Sequence, residues 1–148
     1  MGNFRAVILR DVTSLGSVTF FMLLVLFLFS FNEFNFGKSV LFGLVLALTI
    51  SSTIRLIYFK DRPQKKKFNN FLTRIYASSF PSLHTTLIFF LAFTLISYFD
   101  DIIFRTFILF LAFLVSYSRI YLKKHDWKDV FGGIVLSVIV FLIVNMLI

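Results

Sequence analysis

Ser118-Arg119-Ile120-Tyr121-Leu122-Lys123-Lys124-His125-Asp126-Trp127-Lys128-Asp129 separates two long apolar runs and holds one of the only two histidines of the chain. The flanking runs, about 102–118 and 130–148, have the length of membrane spans, so the stretch reads as a polar connection at a bilayer surface. With a helix beginning near Lys124, His125 and Asp129 are spaced i, i+4 and share one face. The carboxylate can then accept the Nδ1 proton and leave Nε2 free as nucleophile or base. Arg119 ends the preceding run, where its planar guanidinium could hold a phosphate by two parallel hydrogen bonds. Taken alone, His125 reads more simply as part of a solvated basic loop, and the rest of the chain decides the matter.

The composition is that of an integral membrane protein. Hydrophobic residues make up 59% of the 148 positions, phenylalanine occurs 23 times, and the mean hydropathy is +0.92. The formal charge of +8 suggests an anionic partner, and the cations cluster between apolar runs. Membrane lipids and a phosphorylated lipid substrate are therefore nearer partners than nucleic acid. The absence of cysteine removes disulfides and thiolate metal sites, and two histidines with few carboxylates argue against a catalytic metal. No cofactor is expected, and oligomeric state is not legible.

The expected fold is an all-α integral membrane bundle of about five transmembrane helices plus an N-terminal interfacial helix, in a single domain over 1–148. Phe4, Val7, Ile8, Val12 and Leu15 follow helical spacing, with Asn3, Arg5, Arg10 and Asp11 on other faces, giving the interfacial helix over 1–16. Spans follow over about 17–31, 39–59, 81–98, 102–118 and 130–148. The first lacks a small-residue cleavage site and reads as a retained span. Asn32 to Lys38 reads as a polar turn, and Lys60 to Arg74 as a polar segment whose Lys65, Lys66 and Lys67 meet lipid headgroups. Five spans put Arg55, Arg62, Ser82, His84, Arg119, His125 and Asp129 on one membrane face.

Arg55 and Arg62 are seven residues apart, two helical turns, and Pro63 stops the helix. Stacked cations of this kind suit an anion. Phe80-Pro81-Ser82-Leu83-His84 opens the next span, with Pro81 near the first helical position and Ser78 or Ser79 as caps. Free amides at that helix start and the Ser82 hydroxyl can bind an anion, with His84 one turn inside as a proton donor.

Together these segments resemble the motifs of the type 2 phosphatidic acid phosphatase family, membrane lipid phosphatases that share their site with vanadium haloperoxidases. The family pattern is Lys, six residues, Arg-Pro; then Pro-Ser-Gly-His; then Ser-Arg, five residues, His, three residues, Asp. The chain has Arg55, six residues, Arg62-Pro63; Pro81-Ser82-Leu83-His84; and Ser118-Arg119, five residues, His125, three residues, Asp129. Two positions depart: Arg55 keeps the charge of the family Lys as a fork, and Leu83 replaces a Gly. The resemblance implies a metal-independent phosphatase acting on a lipid phosphomonoester or diphosphate. His125 would be the nucleophile, Asp129 its orienting carboxylate and His84 the acid to the leaving oxygen. Arg55, Arg62, Ser82 and Arg119 would hold the phosphoryl oxygens. Polyprenyl diphosphate, phosphatidylglycerol phosphate, phosphatidic acid and lipid A phosphate all remain open as substrates.

A competing reading is a lipid-binding or lipid-transport protein that uses the same cationic cup without catalysis. The excess of Lys and Arg on the motif face favours a cytoplasmic site, whereas the resemblance implies an extracytoplasmic one, in the cytoplasmic membrane of a prokaryote.

Overall fold

The computed structural model describes residues 4–64, 67 and 69–148. Among them the chain forms α1 (Phe4–Ser14), α2 (Val18–Ser30), α3 (Phe34–Ile57), α4 (Phe71–Ala77), α5 (Leu83–Tyr98), α6 (Ile102–Tyr121) and α7 (Trp127–Leu147), with no strand. Asn3 of the expected interfacial segment, and Lys65 and Lys66 of the lysine run, lie outside the described residues, while Lys67 is exposed. The protein is an all-helical integral membrane protein. Helices α3, α6 and α7 are each long and apolar enough to cross a bilayer, and α1 with α2 meets the same test as a pair bent by 47°. The remaining expected span, the third at 81–98, is α5, a shorter apolar helix of 16 residues.

The short helix is the central one. Thr85 through Ala92 are buried without interruption, the pattern of a helix enclosed on all sides. One apolar cluster, including Phe21, Leu44, Phe90 and Val140, packs α5 with α2, α3 and α7. A second joins Ile88, Phe89, Ala112 and Val115, with Val12 of α1 and Leu15 just after it packed against it. Thus α1, expected only to lie at the interface, also seats one face on α5 and α6. Its Phe4, Val7 and Ile8 remain exposed.

Several boundaries differ from those read in the sequence, each for a local reason. Helix α3 begins at Phe34, not near Ser39, because Asn32 makes the turn alone at φ 63, a conformation asparagine tolerates. The polar segment after α3 contains α4, closed at its start by a capping box between Asn70 and Thr73. Helix α5 begins at Leu83 with Ser82 as its N-cap, so Pro81 precedes the helix and Ser78 instead ends α4. His84 is accordingly the second residue of α5 and not one turn inside. Helix α7 begins at Trp127, not near Lys124, because Asp126 caps it.

Gly133 sets how closely α7 can approach the start of α5. A Cβ there would lie 2.8 Å from the Ser82 carbonyl oxygen and 2.9 Å from the Thr85 Cβ, so only glycine fits without displacement.

Candidate active site

The site is built where the loop after α3, the start of α5, the end of α6 and the start of α7 meet. At α7 the Asp126 carboxylate accepts a hydrogen bond from the Asp129 amide, and the Asp129 carboxylate accepts one from the Asp126 amide, each 3.0 Å. This reciprocal cap turns the Asp129 side chain back toward the helix start. There its Oδ2 stands 3.5 Å from Nδ1 of His125. The expected pairing of His125 with Asp129 is therefore present, but His125 lies outside the helix. At 3.5 Å the two are in ion-pair range without a formed hydrogen bond, and Nδ1 is buried without a partner. Lys123 at φ 54 turns the chain, and the His125 amide donates to the Arg119 carbonyl at 3.2 Å. That bond ties the histidine to the arginine of the same motif.

Asp129 is fully buried, and its second oxygen is held from the other side. Lys60 places Nζ 2.7 Å from Asp129 Oδ1 and 2.6 Å from Asp126 Oδ2. Ser79 Oγ adds a donor to Oδ1 at 3.3 Å. The Asp129 backbone also takes part, since its carbonyl accepts the Ser82 amide at 3.0 Å and so links the second motif to the third.

The arginines surround this core. Arg55, in the last turn of α3, is buried and donates from Nη2 to the Pro81 carbonyl at 2.7 Å. Arg62 reaches the Ser78 carbonyl at 3.5 Å, and Arg119 donates from Nη1 to Thr13 Oγ1 of α1 at 3.1 Å. In each of the three, Nε is buried without a hydrogen-bond partner. Unpaired buried donors of this kind are costly unless an acceptor meets them. The three guanidinium charges act on one another and on His84, and His84 and His125 also lie within electrostatic reach of each other. Ser82 is buried and its Oγ accepts from Thr85 Oγ1 at 3.0 Å. All seven residues expected from the sequence therefore share one cluster.

The electrostatics of the loop groups follow from that crowding. Burial lowers the His125 pKa to about 4; the Asp129 carboxylate only partly offsets burial, and Arg119 and Arg62 push the same way as burial. The ring is neutral at physiological pH. Burial likewise lowers Arg62, with Asp129 opposing. Burial pulls on Lys60 too, but its contacts with Asp126 and Asp129 outweigh it and leave its pKa raised. Among the described residues no group of three His, Cys, Asp or Glu side chains is arranged to hold a metal ion.

Lys60, Asp126 and Thr13 were not singled out by the sequence, and Ser79, read there as a helix cap, instead donates to Asp129. Asp126 was findable, because Asp-x-x-Asp ahead of an apolar run is a capping pattern. Leu83, the departure from the family glycine, packs against the apolar cluster of α2, α3, α5 and α7.

The PAP2 superfamily matches residues 36–148, which run from the first turn of α3 through α7 and include each of the seven residues. The crystal structure of LpxE from Aquifex aeolicus is similar, at 26% identity and a TM-score of 0.79, over 99% of this chain and 88% of that one. That likeness extends across α1 and α2 as well. Comparison with curated protein sequences gives no match. With its motif residues gathered at one end of a membrane bundle, the chain belongs to the PAP2 superfamily and is a membrane lipid phosphatase.

Proposed function

We propose that the protein hydrolyses a lipid phosphomonoester or diphosphate through a phosphohistidine on His125. The observation that carries this reading is the neutral, buried His125 backed by a fixed carboxylate, with Arg119 and Arg62 acting on it and three arginines of the same cluster carrying unpartnered Nε atoms. Nε2 attacks phosphorus as the bond to the lipid oxygen breaks, and His84 gives that oxygen a proton. The imidazolium formed at His125 gives its Nδ1 proton a stronger attraction to Asp129, which shortens the 3.5 Å separation. Arg55, Arg62, Arg119, Ser82 and the first amides of α5 hold the three non-bridging oxygens in the transition state. Water then attacks the phosphohistidine, its proton passes to His84, and phosphate leaves. No step calls for a metal.

The substrate is a lipid that presents its phosphate at the membrane interface, with polyprenyl diphosphate, phosphatidylglycerol phosphate, phosphatidic acid and lipid A phosphate as the panel to compare. The site faces the extracytoplasmic side of a prokaryotic cytoplasmic membrane. Phosphate release by the purified protein in detergent with chelator, beside His125→Ala, tests the mechanism. Release that survives chelation and vanishes in the variant supports it, together with acid-labile labelled enzyme. Release retained in His125→Ala overturns His125 as nucleophile.

A further inference from the structure

Beside the cluster lies an apolar groove of about 620 Å³, within the usual range for ligand sites. One wall is a stripe of α7, Trp127, Phe131, Val135 and Ile139, whose spacing of four places them on one helical face. They remain 68%, 69%, 45% and 45% exposed. From the first to the last the stripe descends roughly 18 Å at 1.5 Å per residue, about the depth of one leaflet of a 30 Å hydrocarbon core. Its floor includes Gly132, which leaves the groove open where a side chain would meet the Phe80 ring.

The upper end of the groove runs into the site. Pro81 lines it, and the Pro81 carbonyl is the acceptor of Arg55; Ile54, beside Arg55 in sequence, lines the opposite wall. Lys128 stands at the rim with Trp127, where a cation and an indole suit the anionic headgroup level of a membrane. An apolar trough one leaflet deep, joined at its interfacial end to a cationic cluster, has the charge and shape of a phosphorylated lipid with one extended chain.

We propose that this groove holds a linear hydrocarbon chain of the lipid substrate, acyl or prenyl, and so orients the phosphate toward His125. The proposal rests on the lipid phosphatase reading and names where the tail lies. Moving a chain from lipid into an apolar groove gains little from the hydrophobic effect, because both surroundings are hydrocarbon. The groove therefore acts by alignment, and its loss is felt as misplacement of the reacting atoms.

The test uses Val135→Trp and Ile139→Trp, which fill the groove below the site, and Phe110→Trp on the exposed face of α6 as control. Each purified full chain is assayed on the four long-chain lipids of the panel, compared on the one the wild type hydrolyses best, and on p-nitrophenyl phosphate, which has no chain. The expected result is a fall of about tenfold in kcat/KM for the long-chain lipid in either groove variant. Hydrolysis of p-nitrophenyl phosphate and the melting temperature stay at the wild-type values. The control keeps both activities. Equal long-chain activity in a folded groove variant and in the control overturns the groove, as does wild-type protein that hydrolyses only p-nitrophenyl phosphate. Wild-type protein that hydrolyses neither overturns the phosphatase reading itself, a separate and recognisable result. If Val135→Trp fails to fold, Ile139→Trp, one turn deeper, reads the same groove.

Discussion

Lys60 holds Asp129 from the side opposite His125: its ammonium lies 2.7 Å from Oδ1, while Oδ2 faces the imidazole at 3.5 Å. The carboxylate is fully buried and Lys60 is its only cationic hydrogen-bond donor among the described residues. Replacing Lys60 by Met leaves a buried charge short of its partner, which frees the carboxylate to rotate or to take up a proton. The expected outcome is a loss of about tenfold or more in kcat with KM little changed, the pattern of an interaction felt in the transition state. Lys60→Arg should recover part of it. Steady-state kinetics on the best lipid of the panel check this, and an unchanged kcat in Lys60→Met removes Lys60 from the site.

Arg119 is held by a helix outside the region matched by the superfamily. Its bond to Thr13 Oγ1 is 3.1 Å, and a hydrogen bond to a charged group is worth about 1.5–3 kcal/mol. Thr13→Val should weaken vanadate binding by about tenfold and leave the fold intact, and Thr13→Ser should restore it. Vanadate inhibition constants for the three proteins, measured beside their melting temperatures, provide the comparison.

Close packing at Gly133 makes a sharper demand. Gly133→Ala brings a methyl group within 2.8 Å of the Ser82 carbonyl oxygen, against backbone that cannot swing aside. Overpacking of this kind costs about 1–3 kcal/mol. It should lower the melting temperature and the activity together, since the displaced strand of backbone carries Ser82 and leads into His84. Thermal unfolding by intrinsic fluorescence reports the first effect; full activity at wild-type stability is the contrary result.

The pH behaviour of His125 has a definite sign. Its folded pKa of about 4 lies below the unfolded value of about 6.5, so between those values the unfolded chain binds more protons. Stability should fall as pH drops from 6.5 toward 4 and level off outside that window. Since the chain has two histidines, His84→Ala leaves one ring signal, and its NMR titration in micelles reads the value directly. A midpoint near 6.5 contradicts the burial argument.

Sidedness has its own measurement. Gln64 is exposed on the loop beside the cluster, with its amide bonded to the Lys123 carbonyl at 3.3 Å, and the chain contains no cysteine. Gln64→Cys in intact cells should react with a membrane-impermeant maleimide if the site is extracytoplasmic. Labelling only after lysis places it in the cytoplasm, in line with the surplus of cations on that face.

The sequence revealed which residues would meet more reliably than how they are held. Spaced motifs between apolar runs placed Arg55, Arg62, Ser82, His84, Arg119, His125 and Asp129 on one face, since alternate passage through a bilayer leaves little freedom. The pairing of His125 with Asp129 was read from helical spacing, yet it arises from the Asp126 cap, because the capping carboxylate outcompetes helical continuation toward Lys124. Lys60 was hidden for another reason. Its partner Asp129 is 69 residues away, and a lysine among interfacial cations looks like any headgroup contact. Thr13, 106 residues from Arg119, carries no local signal at all. Helix α4 is seven residues long, too short for periodicity to stand out.

The cap at the start of α7 joins two things that proteins usually keep apart. The same oxygen of Asp129 that receives the Asp126 amide is the one turned toward His125. A substitution that spoiled the carboxylate's aim would also fray the first turn of a membrane helix, and one that frayed the helix would misdirect the carboxylate. Chemistry and folding are therefore coupled here: a change at the Asp129 side chain removes both the partner of His125 and one of the two bonds of the cap.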